Sequence, residues 1–203
     1  MRLWCLRYSL TKKMLYTKKG DNGTTKLFDC QEGVRVSKSD FAFEVLGTLD
    51  EINSSLGYAK VLAEKSGISI TFQGKIMTYA EILEKLQENL FSIQGEVAGA
   101  NTHIKMDNVT FEEEVIAEIE KHLTPINSFI ISGGTELGAY LDVCRTIARK
   151  SERYLVTLKE KNERKINDES MIFMNRLSSI LYALARFANQ QSNIAEKGPS
   201  YNN

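Results

Sequence analysis

The stretch RTIARKSER places Arg145, Arg149, Glu152 and Arg153 at i, i+4, i+7 and i+8, so on a helix they share one stripe. Guanidinium groups bind phosphate bidentately, which makes that stripe a candidate polyanion site. The plainer alternative is a solvated face on which Glu152 pairs with an arginine for less than about 1 kcal/mol. A second candidate lies in YTKKGDNGTT, residues 16–25. There Gly20 and Gly23 permit backbone conformations in which successive N–H groups converge on phosphate oxygens, while Lys18, Lys19 and Lys26 supply charge. The competing reading is an ordinary Asp-Asn-Gly turn in a tight hairpin. A third polar stripe, Asn175, Ser179, Tyr182 and Arg186, and an interruption at Asp50 and Asn53 break otherwise apolar helical runs.

Several chemistries are disfavoured by composition. Neither G-x-x-x-x-G-K-[ST] nor G-x-G-x-x-G occurs. His103 and His122 are the only histidines, neither follows a glutamate by three residues, and neither has the setting of a hydrolase triad. Both read as surface or loop residues. Cys5, Cys30 and Cys144 are odd in number and lack metal-ligand spacing, which implies free thiols in a reducing compartment. Charge balances at 26 basic against 26 acidic residues, which gives no support to nucleic-acid binding. Residues 1–38, however, hold nine Lys or Arg against three acids, which fits an anionic partner at that end or, for Arg2 to Lys13, simply a solvated basic tail. No run approaches the roughly 20 apolar residues of a membrane helix.

These residues need elements to hold them, and the apolar period beyond residue 39 is helical. Val45, Leu49, Ile52, Leu56 and Ala59 define a first helix capped by Ser39 or Asp40. Thr78 with Glu81, and Thr110 with Glu113, read as capping boxes for a second and a third. The fourth is expected over about 135–160 and the fifth over about 168–190. Residues 68–77 alternate weakly and read as a small hairpin or a loop. The expected fold is all-α: a five-helix antiparallel bundle in an up-down, ferritin-like arrangement. Residues 1–14 read as a disordered leader or extension, 15–191 as one domain, and 192–203 as a flexible tail.

TKKGDNGTTKL, LGTLDEINSSLG, FIISGGTEL, RTIARKSER and NRLSSILYALARFAN, in this order, resemble the PduO-type ATP:cob(I)alamin adenosyltransferases from about Tyr16 to Asn189. The resemblance implies a homotrimer with ATP and corrinoid bound at subunit interfaces. It implies an ATP loop of Thr17, Lys18, Lys19, Gly20, Asp21, Gly23, Thr25 and Lys26, with Lys38 on the phosphate side. Arg149, Glu152, Arg153 and Asn175 would form the helical half of the ATP site. Arg145 matches an essential arginine and Asp50 its salt-bridge partner. Phe129 matches the aromatic facing the corrin ring, with Ser179 and Tyr182 on the corrinoid side. Ser132 and Ser179 stand where the family usually has proline and aspartate.

The implied reaction is attack of cob(I)alamin on the 5′ carbon of ATP, with triphosphate leaving and Mg²⁺ bridging phosphates rather than held by protein side chains. Such a nucleophile needs alignment and leaving-group stabilisation, not a general base. A corrinoid reductase and a cobalamin-dependent enzyme are possible further partners; nucleic acid and membrane are not expected. The expected compartment is the cytoplasm, with an organelle as the alternative raised by the basic leader. A non-catalytic ATP or corrinoid sensor, or a cofactor-delivery bundle, is the rival reading.

Overall fold

The computed structural model describes residues 16–201. Its helices are α1 (Phe41–Ser66), α2 (Tyr79–Val97), α3 (Met106–Glu120), α4 (Glu136–Glu160) and α5 (Asp168–Gln191). Two antiparallel ladders accompany them: β1 (Thr24–Thr25) with β2 (Val36–Ser37), and β3 (Ser69–Phe72) with β4 (Lys75–Thr78).

Local chemistry sets most boundaries. Asp40, not Ser39, caps α1, its Oδ1 accepting from Ala42 N at 2.9 Å. That helix ends at Gly67, whose φ of 65° suits the left-handed C-cap. The Thr78–Glu81 capping box is present in both directions, with Glu81 N donating to Thr78 Oγ1 at 3.2 Å and Thr78 N to Glu81 Oε2 at 2.7 Å. Thr135 and Asn167 cap α4 and α5. The expected box at Thr110 is not a helix start. Instead α3 begins at Met106, because Asn108 Oδ1 accepts from Lys105 N at 2.9 Å while Glu113 bonds Arg176 at 2.8 Å. The weakly alternating stretch is a hairpin: Ile70 and Phe72 turn inward, and Gln73 and Gly74 both take positive φ, as a type I′ turn requires.

Consecutive helices alternate in direction. Lys60–Glu84 joins α1 to α2, Ser151–Thr48 joins α4 to α1, and Lys159–Asp168 joins α4 to α5, each pairing the start of one helix half with the end of the other. With the α2–α5 contact at Tyr79 and Leu184, these four close a ring. On its flank α3 runs parallel to α5, as the Glu113–Arg176 and Thr124–Gln190 bonds show, so the bundle is not antiparallel at every contact. The stripes read from sequence meet inside: Leu49, Ile52, Leu86, Leu90, Leu141, Ala148, Met174 and Leu181 are fully buried. Burial of this apolar surface is the main stabilising term.

This topology separates the two ends. Residues 16–40 lead into α1 at one end, where α4 finishes; Phe41 there packs on Tyr154 with ring centroids 5.7 Å apart. Residues 121–135, which carry Phe129, lie at the other end and lead into α4.

Candidate active site

On α4, Arg145 and Arg149 face a cleft of about 830 Å³ shared with Ser178, Ser179 and Tyr182 of α5 and with Ile126, Phe129 and Ile130 of the preceding loop. Helical spacing explains the two arms: 145 and 149 are one turn apart, as are 178 and 182. Phe129 is 81% exposed, so a large apolar ring stands in solvent at the cleft. Arg145 Nε donates to Asp142 Oδ1 at 2.9 Å, and its guanidinium lies 5.8 Å from the Tyr182 ring. Arg186 sits at 5.8 Å from the same ring. The cleft thus combines an apolar wall, hydroxyls and two cations.

Further along α4, Glu152 Oε1 accepts from Asn175 Nδ2 at 2.8 Å, which joins the helical half expected for ATP across α4 and α5. Asn175 Oδ1 in turn accepts from Arg176 at 2.8 Å. Arg153 donates to the Arg149 carbonyl at 3.0 Å, and Arg149 itself is exposed with no side-chain partner among the described residues.

The glycine loop is built differently from the hairpin its sequence allowed. Asp21 N donates to Lys18 O at 3.3 Å and Gly23 N to Gly20 O at 3.1 Å, making two consecutive turns. Thr24 and Thr25 then pair with Ser37 and Val36, so β1 finds its partner after the loop and beyond a further excursion. Lys38 N donates to Gly23 O at 2.9 Å, and a Cβ on Gly20 would stand 3.1 Å from Lys38 Nζ. A flexible lysine tip can yield there, so the conformational need for glycine falls on Gly23, whose φ is 75°. Thr17, Lys18, Lys19, Asp21 and Lys26 are exposed around it. Arg35 organises the loop: its Nε donates to Thr24 Oγ1 at 2.8 Å and its Nη2 to the carbonyls of Lys19 and Thr24, both at 2.7 Å.

Two of the expected site contacts are not made within one chain. Asp50 does not pair with Arg145 within the chain; it is exposed on α1, while the neighbouring Glu51 takes Lys150 of α4 and Arg145 turns toward Asp142 and Tyr182. Consecutive residues on α1 point about 100° apart, so only one of Asp50 and Glu51 can face α4. Nor does the glycine loop meet the α4 arginines: among the described residues no hydrogen bond or ion pair joins residues 17–26 to Arg145, Arg149 or Arg153. Eleven residues of α4 separate Arg149 from the helix end nearest the loop, about 16 Å along the axis.

Sequence reading passed over Arg35 and Asn189. Asn189 is buried; its Oδ1 accepts from Thr135 N at 2.9 Å and Thr135 Oγ1 at 3.0 Å, and its Nδ2 donates to Gly133 O at 2.8 Å. A Cβ at Gly134 or Gly138 would collide with it. The paired glycines of FIISGGTEL were the available signal. His103 and His122 are both exposed, Cys30 and Cys144 are free, and burial pushes the Cys144 thiol up to about 12. Among the described residues no three His, Cys, Asp or Glu side chains gather as a metal site. A second cleft of about 680 Å³, near Asp29, Glu96 and Arg164, holds none of the expected site residues.

The protein-family model for cobalamin adenosyltransferase matches residues 15–188. The chain is 33% identical over 195 residues to human corrinoid adenosyltransferase MMAB, covering 90% of this chain and 72% of that protein. It is 34% identical over 186 residues to the Bacillus subtilis corrinoid adenosyltransferase, covering 90% of each. A variant PduO-type ATP:corrinoid adenosyltransferase from Lactobacillus reuteri, solved in complex with cobalamin and ATP, superposes with a TM-score of 0.79 at 31% identity, over 93% of this chain and 97% of that one. A five-helix bundle with a basic, aromatic-lined cleft is therefore the fold of an adenosyl-transferring class of enzyme. The chain belongs to the cobalamin adenosyltransferase family.

Proposed function

We propose that this protein transfers the 5′-deoxyadenosyl group of ATP to the cobalt of cob(I)alamin, forming adenosylcobalamin and releasing triphosphate. The observation that carries the reading is the cleft in which Phe129, Arg145, Arg149, Ser179 and Tyr182 converge, in a chain of this family. The cobalt electron pair forms the Co–C5′ bond as the C5′–O bond breaks, and that oxygen leaves with the triphosphate. The protein's work is to align the reactants, which is worth up to about 7 to 11 kcal/mol in well-oriented systems, and to stabilise the departing anion. In this reading the corrin face lies against Phe129, with Ser179 and Tyr182 at its polar edge. Arg149, Arg153 and the Glu152–Asn175 pair hold one side of ATP, taken as its Mg²⁺ complex. Arg145, steadied by Asp142 and Tyr182, stands at the reacting centre.

The glycine loop, with Lys18, Lys19, Lys26 and Lys38, holds the other side of the triphosphate. Its distance from Arg149 within one chain supports delivery from a neighbouring subunit, so the active form is proposed to be a homotrimer. The same arrangement lets Asp50 of one subunit pair with Arg145 of the next. The cytoplasm is the proposed compartment; no described helix is long and apolar enough to cross a membrane.

The test is turnover. Mixed with ATP, Mg²⁺ and chemically reduced cobalamin, the protein is expected to form a light-sensitive cobalt–carbon product with one triphosphate per adenosyl group. Tight binding of both substrates without product would replace the transferase with a sensor or carrier.

A further inference from the structure

Residues 193–201 contain neither helix nor strand, yet they are fastened at successive points across the rim of the cleft. Ile194 N donates to Asn189 O at 2.9 Å, turning the chain back at the end of α5. The Glu196 carboxylate then accepts from Arg186 Nε at 2.7 Å and Nη2 at 2.8 Å, while Nη2 also donates to the Thr124 carbonyl at 2.7 Å. Only 11% of the arginine side chain and 22% of the glutamate are exposed. Such a bidentate, enclosed pair is held far more firmly than a surface ion pair. One residue on, Lys197 O accepts from Ile131 N at 2.8 Å. At Gly198 the chain passes so near the loop that a Cβ would stand 3.2 Å from Ser128 Oγ and 3.3 Å from Phe129 O. Tyr201 then reaches the cleft itself.

The loop needs this support. Its two ends are tied to α5, by Arg186 and Gln190 at Thr124 and by Asn189 at Gly133. Between them, among the described residues, Ile131 N to Lys197 O is the one backbone–backbone hydrogen bond that residues 124–132 make with another segment. Phe129 lies two residues from that bond.

We infer that residues 194–201 are a strap, latched by Arg186 and Glu196, that fixes the Phe129 loop and supplies Tyr201 as a second aromatic wall for the corrinoid. The inference rests on the function proposed above and makes the strap a determinant of corrinoid affinity and not of ATP affinity. The chemistry suits a planar macrocycle with an amide-fringed edge: Phe129, Ile126, Ile130 and the Tyr201 ring offer apolar surface, and the hydroxyls of Ser179, Tyr182 and Tyr201 offer hydrogen bonds at the periphery.

The experiment compares the full chain with Tyr201→Ala, Tyr201→Phe, Glu196→Gln and a chain ending at Ala195. Three quantities are measured: KM for cob(I)alamin and for ATP, affinity for cob(II)alamin from its visible spectrum, and hydrogen exchange at the Ile131 amide. Loss of the strap is expected to raise the corrinoid KM and Kd about tenfold, the scale of a lost aromatic contact with its ordering. The ATP KM should stay within about twofold. Tyr201→Ala should lose part of that affinity without changing Ile131 exchange, Tyr201→Phe should recover most of it, and Glu196→Gln should speed Ile131 exchange, as truncation does.

Unchanged Ile131 exchange in the truncated chain, unchanged corrinoid affinity in Tyr201→Ala, or equal losses for ATP and corrinoid would each overturn the strap. Should truncation prevent folding, the Tyr201 pair decides alone. A full chain that binds cob(II)alamin in a strap-dependent way but makes no adenosylcobalamin would support the strap and refute the transferase. A full chain that binds no corrinoid would refute both.

Discussion

Arg149 is exposed at the mouth of the cleft, so its side chain contributes little to the fold, while the proposed function sets it beside the departing triphosphate. Arg149→Ala should leave the melting temperature nearly unchanged. Turnover with ATP at saturating corrinoid should fall about 10²- to 10³-fold, the effect of removing one donor aimed at developing charge; full retention of turnover would take Arg149 out of the ATP site. Glu112 presents the opposite case. Its carboxyl is fully buried on α3 with neither oxygen hydrogen-bonded, and burial raises its pKa well above the usual carboxylate range against the weaker pull of Arg176. A raised folded pKa means that the folded state binds the proton more tightly than the unfolded chain. Stability from this group is therefore fully present below the unfolded value of about 4.3 and is lost as pH rises through the folded value. Glu112→Gln should flatten that loss. Urea unfolding from pH 4 to neutrality should show the variant gaining on the parent as pH rises, and parallel curves would contradict the assignment.

Elements succeed or fail here by how their ends are tied. The loop between α3 and α4 has little secondary structure, and Asn189 of α5 supplies three of the bonds that fix its last residues and the start of α4. Asn189→Ala leaves Thr135 N and Gly133 O without those partners, which should cost about 2 to 3 kcal/mol at about 1 kcal/mol per hydrogen bond. Because that loop carries Phe129, the corrinoid KM should rise more than the ATP KM. Equal changes in both, measured alongside thermal unfolding, would mean that Asn189 supports the bundle and not the loop. Helix boundaries were largely legible in sequence, since caps such as Asp40 and Thr78 act on their own next three residues. The α3 start was not, because Asn108 competed with Thr110 for the role and Glu113 was drawn away by Arg176, a residue distant in sequence.

For the whole molecule, the separation of the glycine loop from Arg149 has a direct consequence. If each ATP site is completed by a neighbouring subunit, specific activity should fall on dilution as the assembly dissociates, in step with the mass measured by light scattering. Asp50 and Arg145 should then couple in a double-mutant cycle by about 0.5 to 3 kcal/mol of turnover free energy, the range for groups in contact. Additive losses would refute the Asp50–Arg145 pair, and activity that persists after the measured mass has fallen to that of one chain would refute the shared site.

From the order of residues alone came the mostly helical character, the apolar stripes, the Thr78–Glu81 box and the positions of the arginines on one face of α4, because each depends on spacing within a few turns of one helix. The glycine loop was also legible as an unusual stretch, whereas Phe129 came only from the family resemblance. What surrounds them was settled only by tertiary packing. Arg35 threading three acceptors of the loop, Asn189 clasping the paired glycines, and the chain after Ser192 doubling back to bring Tyr201 to the cleft all join residues well separated in sequence. Local spacing carries no record of such meetings; they follow from which helix faces the core leaves beside one another.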